Sequence, residues 1–333
     1  MISVLVACHN GASTIGRTLE ALSQLQEPRG GWRLIAVDNG STDTTASILA
    51  QYRARLPLTC LFEPTLGKNH ALNRGLQHLE GDLAVFTDDD VIPDPDWLVR
   101  IKACADAHPE YDVIGGAILP VWPRQPPEWI LESVPLGQVF GASNPSQTAG
   151  EISPHLVWGA NMTVRMRVFR DGFQFDTRFG PNGTTRYVTG SETQFALRVA
   201  EAGYRFWFCP AIRVGHIIRE EQFELRSILQ RAFRSGRLQV RLEKHAALRS
   251  GAMLFGVPMK MWGGCARRSL DVLLTAVTAG WPSQVRARFA LAEACGRFVE
   301  SHRMLTDVPQ EGCDGLNLSQ TNADPRFPQY EHP

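Results

Sequence analysis

The chain has 333 residues, and its 34 basic side chains (Lys plus Arg) equal its 34 acidic side chains (Asp plus Glu) in number. At about 100–200 residues per domain, this length predicts one large domain or two smaller ones. A net charge of zero argues against the basic surface that nucleic-acid-binding proteins usually present. We therefore expect no nucleic-acid partner.

The spacing of the cysteines and the first residues of the chain indicate the cellular compartment of the protein. The seven cysteines form no C-x-x-C motif, which favours free thiols in a reducing compartment. The first residues form an apolar strand-like run and do not resemble a signal peptide. No apolar run reaches the roughly 18 residues that a spanning helix needs. These features predict a cytoplasmic protein.

The first 120 residues alternate between short apolar runs and segments with apolar residues at helical spacing. The apolar runs are predicted strands at Ile2–Ala7, Leu34–Val37, Leu58–Phe62 and Leu83–Thr87. Strands that alternate with helices predict βαβ units. The sheet they form should be mostly parallel, with helices on both faces.

The middle of the chain changes character. Residues 120–155 are rich in proline, which predicts irregular structure over a surface or cleft. The predicted elements that follow are a strand at Leu156–Val164, a loop at Phe179–Ser191, a helix at Glu192–Ala202, and strands at Arg205–Phe208 and Ile212–Val214.

After about residue 222 the pattern becomes helical. Segment 226–249 carries a net charge of +6, from seven basic residues and one acid, and amphipathic segments follow at 259–279 and 283–304. These helices either pack on the preceding domain or lie on an anionic membrane surface. We favour packing of the apolar residues, with the arginines free to meet phosphates, and retain peripheral membrane contact through 226–304 as the alternative. The predicted organisation is an α/β domain at 1–222, a helical extension at 223–305 and a disordered tail at 306–333.

Polar clusters follow three of the predicted strands, at Cys8–Gly11, Asp38–Asp43 and Asp88–Asp90. Ligands of parallel α/β sheets bind beyond the carboxyl ends of the strands. Each cluster alone is also explained by turn and capping chemistry. Because three clusters converge on one edge of the sheet, the sequence predicts a binding site there.

The three consecutive carboxylates Asp88, Asp89 and Asp90 are the sharpest feature of this edge. Each close pair repels by about 1–4 kcal/mol, depending on the local dielectric. A divalent cation reverses that cost, and oxygen ligands suit Mg²⁺ or Mn²⁺. Alternate residues, Asp88 and Asp90, can reach one ion while Asp89 points elsewhere. A solvated acidic turn is the competing interpretation.

Six motifs extend this pattern along residues 1–218. They are Val6–Asn10, Ala36–Asp43, Gly67–Asn73, Phe86–Asp94, Gly159–Met162 and Gly190–Phe195. Together they resemble the family 2 glycosyltransferases. The resemblance implies a GT-A (Rossmann-like) α/β fold whose sheet binds a nucleotide-sugar, here with a helical C-terminal extension. It also implies transfer of the sugar to an acceptor hydroxyl with inversion, in polysaccharide or glycolipid assembly. The partners would be a nucleotide-sugar donor and a sugar, glycolipid or polysaccharide acceptor.

The resemblance also implies how the carboxylates act. Asp88 and Asp90 match the D-x-D pair that holds Mn²⁺ or Mg²⁺ and the donor diphosphate. Asp88 and Asp89 are expected to contact the nucleotide-sugar. In some similar enzymes a histidine at the position of His216 completes the metal site. A single histidine is more often structural, so this ligand remains the less secure of the set.

The nucleotide contacts follow by the same comparison. Asp38 and Asn39 occupy the place of an acidic pair that contacts the base, and Asn39 departs from the more usual Asp. Lys68 lies where family members contact the nucleotide or phosphate. An ordinary surface lysine at a helix start is its structural alternative.

Glu192 stands at the position of the family's general base, which is commonly an Asp. A carboxylate there would accept the proton of the acceptor hydroxyl. The same segment has a structural explanation, because Ser191 and Gln194 have the spacing of a capping box. Asn39 and Glu192 together keep a second function open, a non-catalytic partner that binds nucleotide-sugar or glycan. The intact carboxylate triplet argues against that function.

Overall fold

The computed structural model describes residues 1–184, 186–243 and 252–306. The strands are β1 (Ile2–Cys8), β2 (Trp32–Asp38), β3 (Leu58–Phe62), β4 (Leu83–Asp88), β5 (Val91–Pro93), β6 (Val113–Val121), β7 (Gly150–Glu151), β8 (Met162–Arg165), β9 (Phe206–Ile217), β10 (Met253–Leu254) and β11 (Val257–Pro258). The helices are α1 (Ile15–Ser23), α2 (Thr45–Tyr52), α3 (Lys68–Leu76), α4 (Trp97–Ala107), α5 (Glu128–Ser133), α6 (Leu136–Phe140), α7 (Met166–Arg170), α8 (Ser191–Glu201), α9 (Leu225–Leu242), α10 (Met259–Thr278) and α11 (Trp281–Thr306). The predicted disordered tail lies outside the described residues from residue 307 onward.

One sheet of nine strands organises the α/β part of the molecule. Its order is β3-β2-β1-β4-β8-β6-β9-β5, and β7 pairs with β9. The strands from β3 to β4 are parallel, as the βαβ pattern predicts. Beyond β4 the sheet is mixed, because β8 is antiparallel to both of its neighbours and β5 is antiparallel to β9.

Alternating side chains of the strands fill two cores, one on each face of the sheet. On β1, Val4 and Val6 pack against α1 and α4, whereas Leu5 packs into a second cluster with α3 and α8. Both faces of the strand are therefore buried, which is why β1 reads as a continuous apolar run.

The strand predicted at Leu156–Val164 is wrong for most of its length. Only Met162–Arg165 is a strand, and residues 159–161 form a 3₁₀ turn. The cause is Asn161, whose buried amide donates to the carbonyls of Ala117 and Ile212 and accepts from the Trp97 indole. Side-chain hydrogen bonds of this kind compete with a regular strand.

The two short strands predicted between Arg205 and Val214 are one strand, β9. Its pairing with β6 shifts between Gly116 and Ala117, where residues 210–212 bulge out of the ladder. The Asn161 amide bonds the Ile212 carbonyl at this bulge. The proline-rich segment also contains more order than predicted, since α5 and α6 each begin directly after a proline, Pro127 and Pro135.

The C-terminal helices pack onto the α/β part through a third apolar cluster. Ile228 of α9 and Phe289 of α11 meet Ile130 and Phe140 of the short helices α5 and α6. At the crossing of α9 and α11, a Cβ at Gly236 would overlap the Glu293 carbonyl oxygen, so the backbones lie in close contact. Of the helices within the described ranges, none combines the length and apolar character needed to cross a membrane.

Candidate active site

The polar strand ends meet in one place, as the sequence predicts. In the register of the parallel strands, Cys8 lies beside Asp38 and Ala7 lies beside Asp88. A pocket of about 670 Å³ opens at this edge. Seven of the eight predicted site residues line it: Asn39, Lys68, Asp88, Asp89, Asp90, Glu192 and His216.

Asp38 is the exception, because it lies beneath the pocket floor and is fully buried. Its Oδ1 accepts a hydrogen bond from the Ser41 backbone at 2.9 Å, and its Oδ2 has no partner among the described residues. Asn39 is occupied by the neighbouring loop: Nδ2 donates to the carbonyls of Glu63 and Thr65, and Oδ1 accepts from the Gly67 backbone. This amide therefore fixes the backbone where α3 begins.

Lys68, the first residue of α3, links two of the predicted functional carboxylates. Its Nζ lies 2.6 Å from Asp88 Oδ1 and 2.6 Å from Glu192 Oε1. Burial alone would lower the pKa of Lys68, but the Asp88 and Glu192 carboxylates raise it above its usual value. Lys68 is thus a charged bridge inside the pocket, and not a surface lysine.

Glu192 enters the pocket from the first turn of α8. The predicted capping box is wrong, since the N-cap is Gly190 (φ +89°) and the Ser191 hydroxyl donates to Asn69 Oδ1. The Glu192 side chain packs over Gly159, where any Cβ would overlap its carboxylate. A capping box therefore does not explain the presence of Glu192 at this position.

The acidic triplet divides its three side chains among different neighbours. Asp89 packs against Gly11, where an added Cβ would overlap its carboxylate. Burial raises the pKa of Asp89 to about 7, with the charges of Asp90 and Asp88 adding to the shift. Burial also raises the pKa of Asp88, against the effect of the Lys68 ammonium.

Asp90 and His216 form a pair across β5 and β9. His216 Nε2 lies 3.4 Å from Asp90 Oδ1, while Nδ1 donates to the Phe140 carbonyl at 2.7 Å. Burial opposes both charges. The hydrogen bond with Asp90 nevertheless raises the pKa of His216, and His216 holds the pKa of Asp90 below its usual value.

Asp88, Asp90 and His216 are oxygen and nitrogen donors of the kinds that divalent cations take. Asp88, Asp90 and His216 line one pocket, and a backbone carbonyl holds His216 Nδ1 so that Nε2 faces Asp90. Metal-binding histidines are oriented in this way. Within the described part of the chain, no three acidic, histidine or cysteine side chains are already gathered as a metal cluster. Lys68 instead neutralises Asp88.

Arg219, Arg231, Arg234 and Tyr187 form one wall of the pocket, and the sequence did not predict any of them individually as a site residue. The Arg-rich segment gave a signal, but its charge could equally indicate an outward-facing helix. Helical spacing places residues 231 and 234 on one face of α9, and the tertiary packing that turns this face inward is not visible in the sequence.

The comparison with known families decides the class. The family model of glycosyl transferase family 2 matches residues 3–173, about half of the chain. The chain belongs to glycosyl transferase family 2.

Two relatives of this glycosyltransferase align over most of its length. Glycosyltransferase AglE from Haloferax volcanii is 25% identical over 244 residues, which cover 72% of this chain and 73% of AglE. Succinoglycan biosynthesis protein ExoM from Rhizobium meliloti is 27% identical over 283 residues, which cover 83% of this chain and 84% of ExoM.

Solved structures show the same GT-A fold. The mannosyltransferase PcManGT from Pyrobaculum calidifontis, in complex with GDP-Man and Mn²⁺, has a TM-score of 0.56 at 19% identity and covers 89% of this chain and 86% of its own. S. aureus TarS 1–349 in complex with UDP-GlcNAc has a TM-score of 0.53 at 17% identity, covering 91% of each chain. These matches cover a larger share of this family 2 glycosyltransferase than the family model, which spans residues 3–173.

Proposed function

We propose that this glycosyltransferase transfers a sugar from a nucleotide-sugar to an acceptor hydroxyl, depends on a divalent cation and inverts the anomeric centre. The observation that carries the proposal is the pocket itself. It is lined by the partly buried carboxylate of Glu192 and by the carboxylates of Asp88 and Asp90, and Lys68 contacts both Glu192 and Asp88.

Asp88, Asp90 and His216 are the residues that would hold Mn²⁺ or Mg²⁺. Such an ion neutralises negative charge on a departing diphosphate. Lys68 adds a fixed positive charge to the same wall of the pocket. The structure of PcManGT, which contains GDP-Man and Mn²⁺, supports a nucleotide-sugar and a divalent cation for this fold.

Glu192 is proposed as the general base. In a single displacement, a carboxylate oxygen of Glu192 takes the proton of the acceptor hydroxyl, and the acceptor oxygen forms a bond to the anomeric carbon. The bond from that carbon to the diphosphate oxygen breaks, and its electron pair leaves with the diphosphate. Attack opposite to the leaving group inverts the configuration. Binding both substrates in one pocket supplies their mutual orientation.

The acceptor is proposed to belong to polysaccharide or glycolipid assembly. The support is the role of one relative, ExoM, in succinoglycan biosynthesis. A further relative over 118 residues, from Edwardsiella ictaluri, is an undecaprenyl-phosphate sugar transferase, although it covers only 34% of this chain.

A stereochemical experiment tests the proposed mechanism. A screen for thermal stabilisation by nucleotide-sugars in the presence of Mn²⁺ would identify the donor, and simple sugars would then be screened as acceptors. Proton NMR of the product at early times should show the anomeric configuration opposite to that of the donor. A product that retains the donor configuration would refute the single displacement.

We further propose that helix α10 contacts a membrane surface. Its inner side is held by Met261, whereas Leu270, Leu273, Leu274 and Val277 are 53–88% exposed. These four residues have i, i+3, i+4, i+7 spacing and therefore share one face. A surface helix ordinarily turns its apolar face toward the protein core. The apolar face of α10 points outward and is therefore suited to binding a partner.

The charges and aromatic residues beside this face favour an anionic membrane as the partner. Lys260 and Arg267 are exposed and lie two heptads and one heptad before Leu274, along the edge of the same face. Phe255 is 79% exposed, and Trp262 is exposed next to it with ring centroids 6.2 Å apart. Basic residues beside exposed aromatic and aliphatic ones are typical of interfacial helices.

A further inference from the structure

Three arginines lie on one wall of the pocket, at and before helix α9. Arg219 follows β9, and Arg231 and Arg234 come from one face of α9. Arg234 is anchored by Tyr187: its Nη1 donates to the Tyr187 hydroxyl at 2.9 Å, and its guanidinium lies 4.3 Å from the ring centroid. This single hydrogen bond leaves most of its five N–H donors unused.

Arg231 is the least satisfied of the three. It makes no hydrogen bond or ion pair with any residue in the described ranges, although it is only partly exposed. Burial lowers the pKa of Arg231; Tyr187 and Asp90 act against this shift, and the charges of Arg219 and Arg234 add to it. A partly desolvated guanidinium with no paired carboxylate is costly, so a pocket that keeps one is suited to an anionic ligand.

The acidic groups near this wall do not balance the arginines. Asp90 lies 3.7 Å from Arg219 and 3.4 Å from His216, so these two residues already share its carboxylate. Glu221 pairs with Arg219 at 3.1 Å and is exposed. Arg231 and Arg234 consequently have no carboxylate partner among the described residues, and the wall carries excess positive charge.

We propose that Arg219, Arg231 and Arg234 form a subsite for a phosphate group of a substrate. The planar guanidinium matches phosphate oxygens through paired hydrogen bonds, which makes arginine suited to this role. The subsite rests on the proposed function, because it adjoins Asp90 and Glu192 in the same pocket. Its phosphate has two sources: the diphosphate of the donor, or a phosphate carried by the acceptor.

The experiment compares Arg231→Gln with Arg226→Gln in the full chain. Arg226 lies on the same helix, is exposed and does not line this pocket, so its variant controls for loss of charge. Isothermal titration calorimetry measures the binding of UDP, GDP, pyrophosphate and glycerol 3-phosphate with Mn²⁺ present. Arg231→Lys keeps the charge, and thermal melting of all three variants checks the fold.

We expect Arg231→Gln to weaken at least one of these phosphates about ten- to hundredfold, with partial recovery in Arg231→Lys and no change in Arg226→Gln. A loss for the nucleoside diphosphates assigns the subsite to the donor. A loss confined to glycerol 3-phosphate, measured at saturating nucleoside diphosphate, assigns it to the acceptor.

The subsite is overturned if the folded Arg231→Gln and Arg226→Gln variants bind all four probes equally. It is equally overturned if the parent chain binds none of them. The proposed function is tested separately by nucleotide-sugar binding to the parent chain. A chain that binds its nucleotide-sugar while Arg231→Gln changes no phosphate affinity would retain the function and lose the subsite.

Discussion

At the scale of single residues, Lys68 determines how the pocket is charged. Its ammonium group contacts Asp88 and Glu192 at once, so the predicted metal ligand and the predicted base share one cation. Breaking a buried pair of this kind by removing one partner usually costs several kcal/mol, because the other charge is left uncompensated. At Lys68, Asp88 and Glu192, the informative variants are therefore those that keep the size of the side chain and alter one function.

Glu192→Gln keeps the size of the side chain but cannot accept a proton. We expect transfer to fall by a factor on the order of 10²–10⁴, with donor affinity nearly unchanged. Glu201→Gln, exposed at the other end of α8, is the matched control and should leave turnover unaltered. Steady-state kinetics and donor titration separate the two effects. An active Glu192→Gln enzyme would show that the base lies elsewhere.

Asp90→Ala removes the carboxylate that pairs with His216. Metal-dependent binding of the nucleotide-sugar should be lost while the fold is kept, because the variant shortens a side chain at the pocket wall. The control is Asp106→Ala, whose carboxylate is exposed outside the pocket and forms only an i, i+4 pair with Lys102. Calorimetry with and without Mn²⁺ measures the effect. Unchanged Mn²⁺-dependent affinity in Asp90→Ala would remove Asp90 from the metal site.

At the scale of helices and strands, periodicity predicted the first half of the fold well. The parallel strands β1 to β4 are buried on both faces, so their apolar runs carry a clear signal. The second half depends on long-range contacts that leave little local signal. Asn161 interrupts a predicted strand because its amide donates to carbonyls 44 and 51 residues away. The second of these hydrogen bonds, to Ile212, lies at the bulge of β9, where the sequence pattern predicts two separate strands.

The candidate site shows the same contrast. Strand order alone brings Asp88 and Asp90 to the sheet edge, and the motif resemblance adds Glu192. The bridging position of Lys68 and the inward face of α9 depend on how separate elements pack, which a single sequence does not encode locally. The predicted capping box at Ser191 is wrong because Asn69, from another helix, accepts the hydrogen bond that the Ser191 hydroxyl donates.

The crossing of α9 and α11 offers a test at the element scale. Gly236→Ala would place a Cβ against the Glu293 carbonyl, whereas Gly263→Ala, on the exposed α10, meets nothing within 4 Å. We expect Gly236→Ala to lower the free energy of unfolding by about 1–3 kcal/mol or more. Gly263→Ala should raise it by up to about 1 kcal/mol through helix propensity. Urea unfolding measures both, and equal stability of the two variants would contradict the close crossing.

At the scale of the whole molecule, the C-terminal helices serve two surfaces. Their inner side closes the pocket: α9 contributes Arg231 and Arg234, and Arg237 donates to the carbonyls of residues 186 and 187 in the loop before α8. Their outer side exposes the apolar face of α10. The arginines of α9 that the structure describes are largely directed into the protein. We therefore limit the proposed membrane contact, predicted over 226–304, to residues 253–281.

The exposed face predicts salt-sensitive binding to anionic vesicles. Each basic residue near such a surface contributes roughly 1 kcal/mol, and the apolar face adds to it. Leu273→Glu should abolish co-sedimentation with anionic liposomes at low salt, whereas Gln51→Glu, exposed on α2, should not. Neutral liposomes should bind little of either protein. Failure of the parent chain to bind anionic vesicles, or a dimer that Leu273→Glu dissociates, would assign the face to another partner.

The central claim is metal-dependent chemistry on a nucleotide-sugar at the edge of the sheet. The most direct measurement is release of nucleoside diphosphate from a panel of nucleotide-sugars, with Mn²⁺, with Mg²⁺ and with EDTA, for the parent chain and Asp90→Ala. We expect release from at least one donor with a divalent cation, none with EDTA, and none from Asp90→Ala. A panel in which no nucleotide-sugar is turned over, or in which EDTA and Asp90→Ala leave the rate unchanged, would contradict the claim.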